Sequence, residues 1–199
     1  MVRHSANSLD RRVGFRSVAL WRADAIRRPL RSRLVVIAPS ARDAVRRLGG
    51  WLFDMTTAGW EVTVAVADHS DIRSLEILGV LVVDLEQMLA MPLHESNIDT
   101  LAVATGSYRS DDRVRDGVLE CVNRGGVRTM FWGADLPREF DGAAESARHR
   151  VSVAGRAFTA CALRAAGLAA EVTATTETLW TAQVPARDVR QLTALLSAS

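Results

Sequence analysis

Two short polar stretches carry the side chains of this sequence that could do chemistry. Ser40-Ala41-Arg42-Asp43 closes one apolar run, and Arg109-Ser110-Asp111-Asp112 follows another. Asp43, Asp111 and Asp112 could together hold Mg2+ or Ca2+ through oxygen ligands alone. Arg42 and Arg109 in the same cleft oppose a cation. They favour an anionic ligand such as phosphate or carboxylate, or ion pairs with those same carboxylates. A purely structural reading stands beside these. Ser40 and Asp43 form a capping-box-like Ser-x-x-Asp pair, and Asp111 and Asp112 fall in the first turn of a helix, where the dipole favours negative charge. Of the four histidines, His4, His69, His94 and His149, only His69 lies in a loop expected at the same edge, which makes it a candidate ligand-binding side chain.

The elements that must position these residues are legible around them. Leu34 to Ala38 is short, β-branched and nearly unbroken, as a strand buried on both faces is. Pro39 stops it, Ser40 caps a helix, and Val45, Leu48, Leu52 and Met55 recur at helical spacing. Gly59 ends that helix, and a second buried strand runs over 62–67. The Gly49-Gly50 pair costs helix stability, so it is expected to permit close contact between helix and sheet. A parallel β-α-β unit places the 39–43 loop at the carboxyl edge of the sheet, where open α/β folds bind ligands.

Further strands are expected near 80–83, 98–104 and 127–132. Ser70 is expected to cap a helix bearing Ile72, Leu75 and Leu78, and another helix follows Ser110 and stops at Gly125-Gly126. The Ala-rich segment from about Ala143 to Ala166 reads as one long helix, with Val151, Ala154, Phe158, Cys161 and Leu163 inward. Val172, Ala174 and Thr176 suggest a sixth strand, and Pro185 opens a last helix with Val189, Leu192, Leu195 and Leu196. Strand alternates with helix throughout, so the expected architecture is an α/β sandwich of three layers with a mostly parallel, Rossmann-like sheet. The loops at 39–43, 68–71 and 105–112 should meet at its carboxyl edge.

Composition sets outer bounds. The chain has 199 residues and 48% hydrophobic content, enough for one domain with a sizeable core. It contains no lysine: all 25 basic residues are arginine. Residues 1–33 carry nine arginines against Asp10 and Asp24, whereas the remainder is acidic overall. Residues 1–32 are read as a basic arm, partly disordered and making few core contacts. Within it Val18, Leu20, Trp21, Ala25 and Ile26 could form a short helix on the domain's edge. Residues 33–199 are read as the α/β domain. Cys121 and Cys161 lack metal-site spacing and read as buried thiols of a reducing compartment. No run is long enough to span a membrane and no signal sequence opens the chain, which points to the cytoplasm; nucleic acid is not the expected partner.

The frame Ala38-Pro39, Gly49-Gly50 and Gly59-Trp60-Glu61-Val62-Thr63-Val64 resembles the opening of the PIG-L/LmbE-like zinc-dependent sugar de-N-acetylases. Leu75-Glu76-Ile77-Leu78-Gly79-Val80 resembles the end of that family's second helix. The likeness spans roughly residues 33–135 and implies a Rossmann-like fold. It also implies roles for the two polar stretches. Ser40 stands where the family has a zinc-binding His, Arg42 where it has the catalytic Asp, and Asp43 at the second Asp position. In the other loop Arg109 replaces a catalytic His, Asp111 matches an Asp, and Asp112 replaces a second zinc-binding His. By family position, then, Arg42, Arg109 and Asp111 are the catalytic places and Ser40, Asp43 and Asp112 the metal places.

Three functions are compatible with this. The favoured one is a pseudoenzyme: a deacetylase-fold chain with a degenerate zinc site and no hydrolase activity, binding a sugar, an anionic small molecule or a protein partner in a sugar or natural-product pathway. No cofactor is then expected. The second is a divergent active de-N-acetylase, which would need zinc. The third is an unrelated Rossmann-like domain that binds a nucleotide sugar or belongs to a glycosyltransferase; no GxGxxG follows the first strand to support it.

Overall fold

The computed structural model describes residues 17–27, 31–168 and 171–182. A helix, α1 (Val18–Arg27), precedes strand β1 (Arg33–Ser40), helix α2 (Ala41–Thr57), β2 (Glu61–Asp68), α3 (Ile72–Ile77) and β3 (Leu81–Asp84). There follow α4 (Leu85–Leu89), a 3-10 turn at Leu93–Ser96, β4 (Thr100–Ala104), the short α5 (Thr105–Ser110) and α6 (Asp112–Arg124). The chain then forms β5 (Arg128–Trp132), a 3-10 turn at Arg138–Phe140, β6 (Ala144–Arg150), α7 (Val153–Ala165) and β7 (Thr176–Ala182).

The seven strands make one sheet in the order β3-β2-β1-β4-β5-β7-β6. The first five are parallel; β7 pairs antiparallel to β5 and to β6. Period-two alternation divides each central strand between two apolar layers. Leu34, Val36 and Ala38 face the layer built with α2 and α7, while Val35 and Ile37 face the layer built with α1, α4 and α6. The five expected parallel strands and the placing of the 39–43, 68–71 and 105–112 segments at one carboxyl edge are borne out, since each segment follows a parallel strand. The last of these is not a plain loop, because Thr105–Ser110 coils into α5.

Several expectations are corrected. Residues 143–166 are not one helix: β6 and α7 divide them. Alanine content favours helix, but Ala144–Arg150 is held extended by a continuous antiparallel register with β7, from Ala144↔Ala182 to Arg150↔Thr176. As a result Val151 is buried ahead of the helix, and Ala154, Phe158 and Cys161 face outward. The following strand begins only at Thr176, and Val172 is 95% exposed. Helix α3 is capped not by Ser70 but by Asp71, whose backbone is left-handed at φ 60 and whose side chain makes no capping bond. The helix expected from Pro185 lies outside the described residues.

The Gly49-Gly50 pair does permit a close approach, but to different elements than expected. A Cβ on Gly50 would stand 2.2 Å from Val151 Cγ1, and one on Gly49 would stand 2.7 Å from Thr159 Cγ2 of α7. The neighbour is therefore the β6–α7 segment and not the sheet. Helix α1 is corrected too. Val18 and fully buried Trp21 belong to the second apolar layer, so this part of the basic segment makes core contacts.

Three outcomes are expected. Gly50→Ala forces its new methyl into Val151 and should cost about 1–3 kcal/mol in chemical denaturation. Trp21→Ala removes a fully buried indole and should cost about 3–5 kcal/mol. Deleting residues 1–30 should accordingly lower the melting temperature by many degrees.

Candidate functional site

At the carboxyl edge the charged side chains engage one another. Ser40 is the N-cap of α2: its Oγ accepts from the Asp43 backbone N–H at 3.1 Å and donates to Asp43 Oδ2 at 2.7 Å. The structure thus brings Ser40 and Asp43 together as a cap. Arg42 reaches sideways, donating to Asp71 Oδ2 at 3.0 Å and to the Ala166 carbonyl at 2.9 Å. It ties the exits of β1 and β2 to the end of α7, and its partner is not Asp43. His69, just past β2, stands with Nε2 2.6 Å from Asp84 Oδ2 at the end of β3.

The second polar stretch is occupied in the same way. Asp111 is the N-cap of α6 itself, one position earlier than expected, and accepts from the Arg113 backbone N–H at 2.9 Å. The Arg113 guanidinium donates to both oxygens of Asp111, at 3.1 and 2.8 Å, and to both oxygens of Glu86, at 2.7 and 2.8 Å. Those bonds hold the Asp111 and Glu86 carboxyls below the usual carboxylate range, against a smaller opposing push from desolvation. Asp112 is 79% exposed at its side chain and pairs with Arg115 one turn on. Arg109 donates to the Asp135 carbonyl.

The seven sequence-predicted residues therefore gather at one edge of the sheet, but they do not converge on one point. Among the described residues no group of three or more His, Cys, Asp or Glu is placed to hold a metal ion. The oxygen-only site of Asp43, Asp111 and Asp112 is corrected on that ground: the first carboxylate is taken by Ser40, the second by Arg113, the third by Arg115. Arg42 and Arg109 pair with neither Asp43 nor Asp111, but with Asp71 and with carbonyl oxygens.

Residues that the sequence reading passed over do much of the joining. Asp71, Asp84, Glu86 and Arg113 each follow closely on a strand end or a helix start, which is the signal that could have found them. A further polar cluster lies between α2 and the antiparallel β6–β7 pair. Asp54 accepts from Ser152 N at 2.9 Å and Ser152 Oγ at 2.5 Å, and lies 2.7 Å from His149 Nε2. Glu177 is 6% exposed and accepts from the Gly50 and Trp51 N–H groups at 2.9 and 2.7 Å. Burial pushes its carboxyl upward, and those two N–H groups pull it partly back. Strand alternation put Glu177 on the same inward face as Leu179, and that was its signal.

No known family model matches the sequence, and no curated protein does either. Solved structures do. A deacetylase–teicoplanin complex from the biosynthesis pathway of teicoplanin superposes with a TM-score of 0.58 at 12% identity, over 76% of this chain and 98% of that one. The fold is theirs. An A40926 pseudoaglycone deacetylase gives a TM-score of 0.55 at 16% identity, over 76% of this chain and 97% of its own. A zinc-inhibited form of teicoplanin deacetylase gives 0.53 at 12% identity, over 75% and 97%. This chain shares with those deacetylases a mostly parallel sheet with helices on both faces. No helix among its described residues is long and apolar enough to cross a membrane.

Arg113 sits at the centre of the second stretch, and its removal is informative. In Arg113→Gln the Asp111 and Glu86 carboxyls should titrate higher, toward 3.8 and 4.5. Carboxyl NMR titration reads this directly. Because the folded-state pKa values are depressed, the stability they contribute is present at neutral pH and lost as pH falls through them. The parent should therefore lose stability faster than the variant below about pH 4.

Proposed function

We propose that this chain is a PIG-L/LmbE-like protein whose sheet edge no longer performs zinc-dependent amide hydrolysis. It acts instead as a binding or partner protein in a sugar or natural-product pathway. The observation that carries this reading is the state of Ser40, Arg42 and Asp43. A zinc hydrolase of this kind needs imidazole and carboxylate ligands around an open position, with a carboxylate base beside the bound water. Here the first ligand position holds a hydroxyl that is spent on capping α2. The base position holds a guanidinium, which cannot accept a proton and is drawn away to Asp71 and Ala166. Asp112, the remaining ligand position, points its charge to solvent and Arg115. This donor set does not fit zinc, and no catalytic step is derived through it.

The shared deacetylase fold supports the PIG-L/LmbE ancestry over an unrelated nucleotide-sugar or glycosyltransferase-type domain. Those deacetylases belong to the biosynthesis of teicoplanin or take the A40926 pseudoaglycone, so a sugar-bearing small molecule is the class of ligand to try first. The divergent-enzyme reading keeps one foothold, the His69–Asp84 pair at 2.6 Å, the single imidazole found at this edge among the described residues.

Purification without chelators followed by elemental analysis should find well under one zinc per chain. Incubation with N-acetylglucosamine and with an N-acyl glycopeptide, zinc added, should release no acid. One zinc per chain together with release of acetate or fatty acid would overturn the proposal, and loss of both in His69→Ala would assign the rearranged site.

A further inference from the structure

Away from the sheet edge, Arg150, Val151, Ser152, Val153, Arg156 and Thr175 line a cavity of about 350 Å3 where β6 passes into α7. None of these residues belongs to the candidate site. From the two guanidinium groups in this wall, we propose that the cavity is a binding site for a small phosphate ester.

Five arginines elsewhere in the chain set a contrast. Arg42, Arg46, Arg113, Arg115 and Arg124 are each committed to a carboxylate. The side chains of Arg150 and Arg156 make no ion pair and no hydrogen bond among the described residues. Arg156 Nε is buried, with no acceptor among the described residues. The terminal nitrogens of a guanidinium form a planar fork that fits an oxyanion. No acidic residue lines the cavity. Asp54, the carboxylate that accepts from Ser152 N–H and Oγ, stands behind that residue and also meets His149. The charged side chains of the lining itself are the two arginines.

Two arginines lining one cavity match a dianion with several oxygens better than a carboxylate, which one guanidinium satisfies. The free backbone N–H groups at the start of α7 have the same sign as the two arginines. The cavity also exceeds what a lone phosphate group fills, and Val151 and Val153 give it an apolar wall. A phosphate carrying a small organic body, such as a hexose phosphate, suits both features.

The test uses the full chain at fixed ionic strength. Thermal shift and calorimetric titration are run with inorganic phosphate, a hexose phosphate, acetate and chloride. Both phosphates should raise the melting temperature by mass action, the ester at lower concentration, and acetate and chloride should not. In Arg150→Gln and Arg156→Gln the affinity should fall by about tenfold or more. Arg128→Gln, an exposed arginine at the start of β5, should leave it unchanged. Arg150 is exposed on β6, so its variant decides the matter if Arg156→Gln fails to fold. Acetate binding as well as phosphate overturns the ligand class. No phosphate shift at all, unchanged affinity in Arg150→Gln, or an equal loss in Arg128→Gln overturns the site. Phosphate binding tighter than the ester shows that the free ion is the ligand and overturns the ester. None of these outcomes touches the zinc measurements, so this proposal and the reading of the sheet edge stand or fall separately.

Discussion

Helix α2 is buried all round through its middle, from Leu48 to Leu52, and the constraint that makes this possible is the absence of side chains at Gly49 and Gly50. The helix packs against the sheet through Val45, Leu48 and Leu52 while Val151 and Thr159 press on it from outside. Gly155 repeats the device from the α7 side, where a Cβ would lie 2.9 Å from Asp54 Oδ1 and 3.2 Å from the Gly50 carbonyl. Such contact leaves room for Glu177 to accept from N–H groups in the middle of α2, a place where a carboxylate is rarely found. It also fixes the end of α7 against the start of α2, where Arg42 and Arg46 take hold of Ala166 and Glu171. The arrangement of the candidate site therefore descends from two glycines placed about two helical turns beyond Arg42.

The parallel half of the fold was legible because its signals are local. A β-branched run, a stop, a cap and a helical period all lie within a few residues of each other around Pro39, and the same grammar recurs around Gly59 and Gly125. The antiparallel half was not, because its signals are distant. Nothing within Ala144–Arg150 marks it as a strand; its state is decided by β7, which lies beyond α7 in the chain. Misreading β6 as helix then turned Phe158 and Cys161 inward by the wrong phase. Trp21 was obscured differently: its neighbours are arginines, and their charge outweighed one aromatic whose burial depends on the far layer of the core.

The candidate site was legible as a place more than as a set of bonds. Strand ends located Ser40, His69 and Asp111 at one edge, since topology alone puts them there. Which partner each would choose was not readable, because the choice depends on side-chain reach across loops. Arg42 passes over nearby Asp43 to reach Asp71, and Arg113 bridges Asp111 and Glu86 from elements 27 residues apart. Exposed pairs of this kind contribute little stability each, about 0–1 kcal/mol. Their effect is positional: they hold the loops of this edge against one another.

The antiparallel β6–β7 pair gives the sheet one further property. A row of parallel strands ends in unpaired backbone groups that invite another chain to join. Here the outer strand at that side is β6, on which Glu145, Arg148 and Arg150 are exposed, and the opposite border is β3, only four residues long. One border repels a newcomer by charge and the other offers too short a template. Among the described residues the antiparallel pair is thus where the sheet stops.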